Sequence, residues 1–490
     1  MFGMMNKTER VVDKETMRML THEKKKTKRI KKIETGPPGG KQKFSLRYKI
    51  GAALFFFGFL FVAISIWAQG SFGKVPFEQV VFHLKMPMEG TSGQSILDFI
   101  VKCLPIPILL TVGLSLLVAT PFGKPKVWEV SVLKKTFTLR AFPQPWLRKW
   151  FVWIALVIFV ACAVFMNYQL DITGYIQNQM TSSTLFEEYY VNPRDVTLVF
   201  PEEKRNLIYI FLESMENTYM SEELGGAQSE DLIPELSQLA LENTSFSSTE
   251  ALGGVRDLPG IQWTIAGMVS QTAGIPLKAP LNVSLGRNEY GKLDDFLPGA
   301  YSLGEILEDQ GYNQMVMVGS KLSFAGRDKY FSQHGNYMLW DYYTAIEEGK
   351  IRDGYDIGWW GFEDAKLFEY AKEELTELAS EKEPFNFTML TVDTHYPDGY
   401  RCQVCGRSHR GQYADVISCS SRQVGAFVEW IKEQDFYENT TIIITGDHNS
   451  MDQNFFTKLP RDYVRTNYNV IINAPISAHN MKNRAIGNFD

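Results

Sequence analysis

The 490-residue sequence has little of what marks the specialised protein classes. Five cysteines are too few for a small disulfide scaffold. Thirty-eight glycines and 21 prolines exclude a collagen-like chain. A hydrophobic fraction of 45% against 22% charged residues excludes intrinsic disorder. The chain has no basic excess, its formal net charge being −6, and this argues against a nucleic-acid partner. It also has no P-loop, dinucleotide fingerprint or internal repeat.

Charge is missing, too, from three long windows. Residues 50–73, 103–123 and 150–170 contain no Asp, Glu, Lys or Arg and are mostly apolar. A bilayer core needs about 20 apolar residues as helix, so three transmembrane helices are expected within a membrane region 50–170. Pro105, Pro107 and Gly113 interrupt the second. The charges that remain are sorted by sign: +16 over residues 1–169 and −22 over 170–490.

The basic residues set the expected orientation. Segment 1–49 holds 15 Lys and Arg, including KKKTKRIKK at 24–32. Segment 124–149 holds seven against the single acid Glu129. Placing both in the cytoplasm runs the chain in-to-out, out-to-in, in-to-out, with residues 171–490 outside. The tail 1–49 reads as a topology signal ahead of a retained anchor, although its charge also suits anionic lipid. A linker at 171–204 then leads to an extracytoplasmic domain at 205–490.

Cys103 and Cys162 fall in the expected spans, where a small apolar thiol needs no special role. Cys402, Cys405 and Cys419 cluster in the outer domain. One disulfide with a thiol left over is the expectation there. A zinc site using His409 is the rival, weakened by the lack of a second C-x2-C pair.

From residue 200 onward the pattern is that of an α/β domain. NLIYIFL (206–212), MVMV (315–318), FNFTMLT (385–391) and TIIIT (441–445) read as buried strands. Residues 362–382 and 420–434 read as amphipathic helices. Such alternation predicts a mostly parallel sheet flanked by helices, with ligands beyond the carboxyl ends of the strands. Reactive residues follow three of these strands at once: Glu213, then Asp393-Thr394-His395, then Asp447-His448. An acid at a strand end is ordinarily a cap, but three such ends on one edge make a site. Glu213, Asp447 and His448 form an oxygen and nitrogen set suited to Mn²⁺ or Zn²⁺, with Mg²⁺ possible. Thr264 opens a helix-like run, where an ordinary N-cap is the simplest role and an anion site the functional one.

Together these segments resemble the lipoteichoic acid synthase and phosphoglycerol transferase family of the alkaline phosphatase and sulfatase superfamily. The matching pieces are TSSTLFEEYYVNP (181–193), RNLIYIFLESMENTY (205–219), LPGIQWTIAGMVSQTAGIPL (258–277), FAGRDKYFSQHG (324–335), TVDTHYPDG (391–399) and IIITGDHNSM (442–451). The wording TIAGM and DTHYPDG is closer to the glucan phosphoglycerol transferases. The resemblance implies an alkaline-phosphatase-like domain with one divalent metal, most often manganese, held by Glu213, Thr264, Asp447 and His448. It makes Thr264 the nucleophile and assigns Arg327 and His395 to the phosphoglycerol group. It implies a phosphatidylglycerol donor, a glycan, glycolipid or glycerophosphate-chain acceptor, a phospho-threonine intermediate and release of diacylglycerol.

Two departures stand out. Gly319-Ser320-Lys321 occupies the place where some synthases have His and Asp, and Lys321 is expected to be solvated. The sequence also stops at NRAIGNFD, where the family pattern normally continues, so the outer domain is expected to be incomplete at its C-terminus. A sulfatase would need a C/S-x-P-x-R segment, and none precedes Thr264. A phosphoethanolamine transferase of the same fold and a non-catalytic membrane sensor are the remaining alternatives. The sequons at Asn243, Asn282, Asn386 and Asn439 are patterns that arise by chance. Trp359 and Trp360, near a strand end, are expected in the core.

Overall fold

A computed structural model describes residues 46–73, 77, 78, 80, 81, 93–119, 126–132, 135–141, 145–180, 188–258, 260–277, 294–452, 454–460 and 462–490. The N-terminal part holds helices α1 (Leu46–Phe72), α2 (Gly93–Cys103), α3 (Pro105–Ala119), α4 (Pro145–Leu170) and α5 (Ile172–Met180), with the antiparallel pair β1 (Lys126–Val132) and β2 (Lys135–Ala141). Three helical stretches are long and apolar enough to cross a membrane: Leu46–Ser71, Leu97–Leu116 and Lys149–Leu170. The chain is therefore a membrane protein. Leu109, Val157 and Phe57 stand exposed on these helices, as lipid-facing residues do.

The middle stretch lies further N-terminal than the charge-free window 103–123. Asp98 and Lys102 are one helical turn apart and pair at 2.9 Å, and Asp98 accepts from Trp67 Nε1 at 3.0 Å. Neutralising each other, they allow the apolar helix to run through them. Helix α1 packs on α4 through Phe55, Phe151 and Ala155. Where the two helices end, Gln169 Nε2 donates to Gln69 Oε1 at 3.0 Å and Gln69 Nε2 to the Gln169 carbonyl at 3.1 Å.

The second part is built on β3 (Asn206–Leu212), α6 (Pro234–Glu242), β4 (Val255–Arg256), α7 (Thr264–Ala273), α8 (Leu303–Asp309) and β5 (Asn313–Val318). It continues through α9 (Arg327–Gln333), β6 (Met338–Trp340), α10 (Tyr342–Glu347), α11 (Asp364–Ser380), β7 (Phe385–Leu390), α12 (Gln412–Lys432), β8 (Thr440–Gly446), β9 (Thr466–Asn467) and β10 (Asn469–Ile472). Six strands form one sheet in the order β10-β8-β3-β7-β5-β6, parallel except for β10, which runs against β8. The parallel α/β sheet expected from the apolar runs is thus observed, and the antiparallel β10 is an addition to it.

Period-2 alternation in β3 explains how this sheet buries both faces. Ile208, Ile210 and Leu212 enter a core with α6, α11 and α12, while Tyr209 and Phe211 enter a second core with α7 and α9. Complete burial of each such side chain stabilises the fold by roughly 1.5–3 kcal/mol. Helix α12 starts eight residues before the expected position 420, because Tyr413, Val416 and Ile417 continue its buried stripe.

Candidate active site

The site forms where β3 and β8 end side by side. Leu212 pairs with Gly446, so the next residues, Glu213 and Asp447, leave the sheet as neighbours. Ser214 then adopts a left-handed conformation at φ 55°, an unusual one for a residue with a Cβ. The turn aims its amide at Asp447 Oδ1 (2.8 Å) and its hydroxyl at Glu213 Oε1 (2.7 Å). The Glu213 main chain is fixed from β7, with its amide on Thr391 Oγ1 and its carbonyl accepting from Thr394 Oγ1.

Ligand atoms of Glu213, Asp447 and His448 all lie within 4.8 Å of one another, and all three residues are buried. His448 Nε2 stands 3.5 Å from both Glu213 Oε1 and Asp447 Oδ2. Its Nδ1 lies 2.8 Å from the Asn449 carbonyl, a contact that places a proton on Nδ1 and turns Nε2 toward the carboxylates. Thr264 Oγ1 donates to Glu213 Oε2 at 3.1 Å. Hence the four residues singled out in the sequence as metal ligands meet at one point.

The donor chemistry of this cluster fits a divalent cation. Asp447 Oδ2 is buried without a hydrogen-bond partner. Burial, and then the charge of Glu213, push the Asp447 carboxyl well above the usual carboxylate range. Burial alone would lower the His448 imidazole, yet Asp447 and Glu213 raise it to about 9. Two carboxylates are thus crowded into a dry site with one imidazole to balance them, an arrangement that a cation relieves.

Helix α7 delivers Thr264 as its first residue, with no side-chain cap on the preceding Trp263. The unpaired amides of the first turn therefore favour negative charge beside the hydroxyl. Gly267 is what lets the helix approach: a Cβ there would lie 2.1 Å from the Asp447 carbonyl oxygen. A helix-interior glycine costs about 1 kcal/mol, so the Gly of TIAGM was a legible sign of close backbone approach.

Arg327 begins α9 directly after two left-handed residues, Ala325 (φ 61°) and Gly326 (φ 76°). The guanidinium is buried and held by Ser320 Oγ (3.1 Å) and the carbonyls of Lys321 (2.8 Å) and Phe324 (3.2 Å). These bonds use Nε and Nη2. Burial pulls its pKa down to about 10, against the opposing attraction of Glu213. It lines a cavity of about 410 Å³ with Lys321, Phe324, Tyr342, Trp359 and Trp360.

His395 joins from the end of β7. Its Nδ1 lies 2.6 Å from the Tyr396 carbonyl, and its ring lies 4.4 Å from that of Trp360. Burial lowers its pKa despite the Glu213 charge, so the neutral imidazole is favoured, with Nε2 as its lone-pair nitrogen.

Two expectations change here, and the chance reading of one sequon agrees with the structure. Lys321 lines the cavity, its Nζ 5.1 Å from the Tyr343 ring, and is not merely solvated. Trp359 and Trp360 are half-buried cavity walls and not core. Asn386, one of the sequons, is buried inside β7, where its amide donates to Gln314 and Tyr337. Sequence reasoning also passed over Glu216 and Arg465. Glu216 accepts from the Ser450 amide and from Arg465, tying the loop that carries Asp447 and His448 to the end of β3. Only the extra acid in LESMEN hinted at it.

Comparison with known proteins places this geometry among relatives. A model of the sulfatase family matches residues 205–468. Phosphoglycerol transferase I of Escherichia coli (strain 55989) is 34% identical over 275 residues, which cover 54% of this chain and 33% of the relative. The protein of the same name from Shigella boydii serotype 18 matches with the same identity and coverage. The chain spans about a third of the length of these relatives. Among solved structures, the lipoteichoic acid synthase LtaP from Listeria monocytogenes aligns at 17% identity and TM-score 0.41, over 55% of this chain and 65% of its own. The lipooligosaccharide phosphoethanolamine transferase EptA from Neisseria meningitidis aligns at 11% identity and TM-score 0.48, over 86% of this chain and 76% of its own.

Proposed function

The chain belongs to the sulfatase family, and from that premise we propose that it is a metal-dependent phosphoglycerol transferase. In this reading it is a multi-pass membrane enzyme with a cytoplasmic tail at 1–49 and a catalytic domain at 205–490 outside the cytoplasm. It moves glycerol phosphate from phosphatidylglycerol to a glycan, glycolipid or glycerophosphate-chain acceptor and releases diacylglycerol. The observation that carries the reading is the hydroxyl of Thr264 set against Glu213 in the Glu213–Asp447–His448 cluster. The 34% identity to proteins named phosphoglycerol transferase I supports the choice of transferred group.

Glu213, Asp447, His448 and Thr264 would hold one divalent ion, Mn²⁺ foremost, with Zn²⁺ and Mg²⁺ as alternatives. Such an ion lowers the pKa of a bound hydroxyl and offsets phosphoryl charge. Thr264 Oγ1 attacks the phosphorus of the donor, and the bond from phosphorus to the diacylglycerol oxygen breaks. Thr264 gives up its hydroxyl proton and the diacylglycerol oxygen takes one as it departs, so the protons balance and glycerophosphate is left on Thr264. Neutral His395 then accepts, at Nε2, the proton of an acceptor hydroxyl as this attacks the phosphorus. The bond to Thr264 breaks and the threonine oxygen takes the proton that His395 accepted, which regenerates both residues. Arg327 binds the phosphoryl oxygens through donors that its loop contacts leave available. The membrane helices hold all this beside a donor that stays in the bilayer.

The test is Thr264→Ala in full-length protein supplied with fluorescent phosphatidylglycerol. The expected result is loss of diacylglycerol release with the fold intact. Release at the normal rate would overturn the nucleophile assignment. Preference for phosphatidylethanolamine in donor competition would move the reading to a phosphoethanolamine transferase.

A further inference from the structure

Outside the active site, the loop after β7 and the second turn of α12 bring three thiols together. Cys402 Sγ lies 3.4 Å from Cys405 Sγ and 3.9 Å from Cys419 Sγ, and all three sulfurs fall within 4.8 Å of one another. All are free thiols; Cys402 and Cys419 are buried and Cys405 is half-buried. A tetrahedral zinc with bonds of about 2.3 Å sets its sulfurs roughly 3.8 Å apart, so the two sides of the triangle that meet at Cys402 already approach that spacing.

The loop is also folded to bring the thiols together. In Cys402-Gln-Val-Cys405-Gly406 the Cys405 amide donates to the Cys402 carbonyl at 3.2 Å, a turn that sets the two sulfurs side by side. Gln423 Nε2 donates to Cys419 Sγ at 3.4 Å. One N–H group thus points at a sulfur of the cluster, as the outer shell of a metal site does.

A second, independent observation is Asp393. It is 1% exposed, and neither carboxylate oxygen has a hydrogen-bond partner. Its amide donates to Asp364 Oδ2 at 2.9 Å, and its carbonyl accepts at 2.7 Å from the amide of Tyr400, two residues before Cys402. A buried carboxyl group with no partner, on the loop that leads to Cys402, carries a desolvation cost that a positive charge offsets. His409 does not supply it, because its Nδ1 is directed to Glu230 Oε1 at 3.2 Å. A disulfide would join two sulfurs, strand the third and bring no positive charge.

We infer that Cys402, Cys405 and Cys419 form a structural zinc site, distinct from the catalytic cluster, that pins the loop after β7 to α12. Binding displaces the thiol protons, and a carboxylate or water oxygen completes four-coordination. The loop so pinned carries His395, so zinc at this site braces one wall of the active site without touching substrate.

The test uses full-length protein carrying Glu213→Gln, which weakens the catalytic cluster, purified with Zn²⁺. A thiol-directed mercurial is titrated while released zinc is measured with a chromogenic chelator. The expected result is about one equivalent of zinc released in step with thiol modification, and none from a variant with all three cysteines changed to serine. Alkylation of the unfolded wild-type protein without reductant should label all three residues, and this measurement stands even if the triple variant does not fold. A pair of these cysteines that reacts only after reduction, or zinc that does not follow the mercurial, would overturn the site.

Discussion

Thr264 Oγ1 and Glu213 Oε2 share a 3.1 Å hydrogen bond across the gap between α7 and the end of β3. The hydroxyl proton therefore already points at a carboxylate, and the oxygen lone pairs are turned the other way. Attachment of a cation to the same carboxylate would put the nucleophile and its activator on one side chain.

Glu213→Gln separates the hydrogen bond from the charge, since an amide oxygen still accepts from Thr264. The expected outcome is a loss of Mn²⁺ affinity of at least about 100-fold, read from metal-dependent transfer. Wild-type protein dialysed against a chelator should lose transfer and regain it with Mn²⁺. Unchanged transfer after metal removal would sink the metal-dependent reading.

Arg327→Lys keeps the positive charge but removes the planar fork. Lys cannot reproduce the simultaneous bonds to Ser320, Lys321 and Phe324, and it offers a point charge to phosphate. Donor turnover should fall by about 10- to 100-fold in kcat/KM, roughly 1.4–2.7 kcal/mol. A thermal melt run alongside separates this from loosening of the loop. Wild-type turnover in a folded Lys variant would remove Arg327 from phosphate binding.

The part of this site written in local sequence was legible, and the part made by distant packing was not. Glu213, Asp447 and His448 each follow a short apolar run, so strand periodicity alone places them on one sheet edge. Thr264 depended on resemblance, because a residue opening a helix is an ordinary cap until Gly267 is seen to admit the Asp447 backbone. Trp359 and Trp360 misled for the same reason. They lie in a loop with no periodicity, so only the tertiary structure could decide between core and cavity wall. The second apolar stretch starts before its charge-free window because such a window cannot register that Asp98 and Lys102 neutralise each other.

Trp360→Ala tests the cavity as the acceptor side of the site. The ring packs on His395 and lines the space next to Arg327. Loss of one stacking surface should raise KM for a saccharide acceptor by about 2- to 10-fold. Acceptor-independent release of diacylglycerol should change little. An equal loss in both assays would make Trp360 a support for His395 and not an acceptor contact.

Glu216 and Arg465 carry the last prediction, which concerns stability and the metal loop together. Glu216 is fully buried, and its carboxylate takes the Ser450 amide at 2.8 Å and Arg465 Nε at 2.8 Å. Arg465 also donates to the Ser450 carbonyl at 2.6 Å and lies 3.7 Å over the Phe456 ring. Arg465→Met strands a buried charge and should cost about 3–5 kcal/mol. The melting midpoint of the detergent-solubilised protein should drop on the order of 10 °C. Adding Glu216→Gln removes the stranded charge and should recover much of the loss, because an unpaired charge costs more than a missing pair. Mn²⁺ affinity should stay weakened in the double variant, since the loop bearing Asp447 and His448 has lost its tie to β3. Full recovery of metal affinity together with stability would show that the pair serves the fold alone.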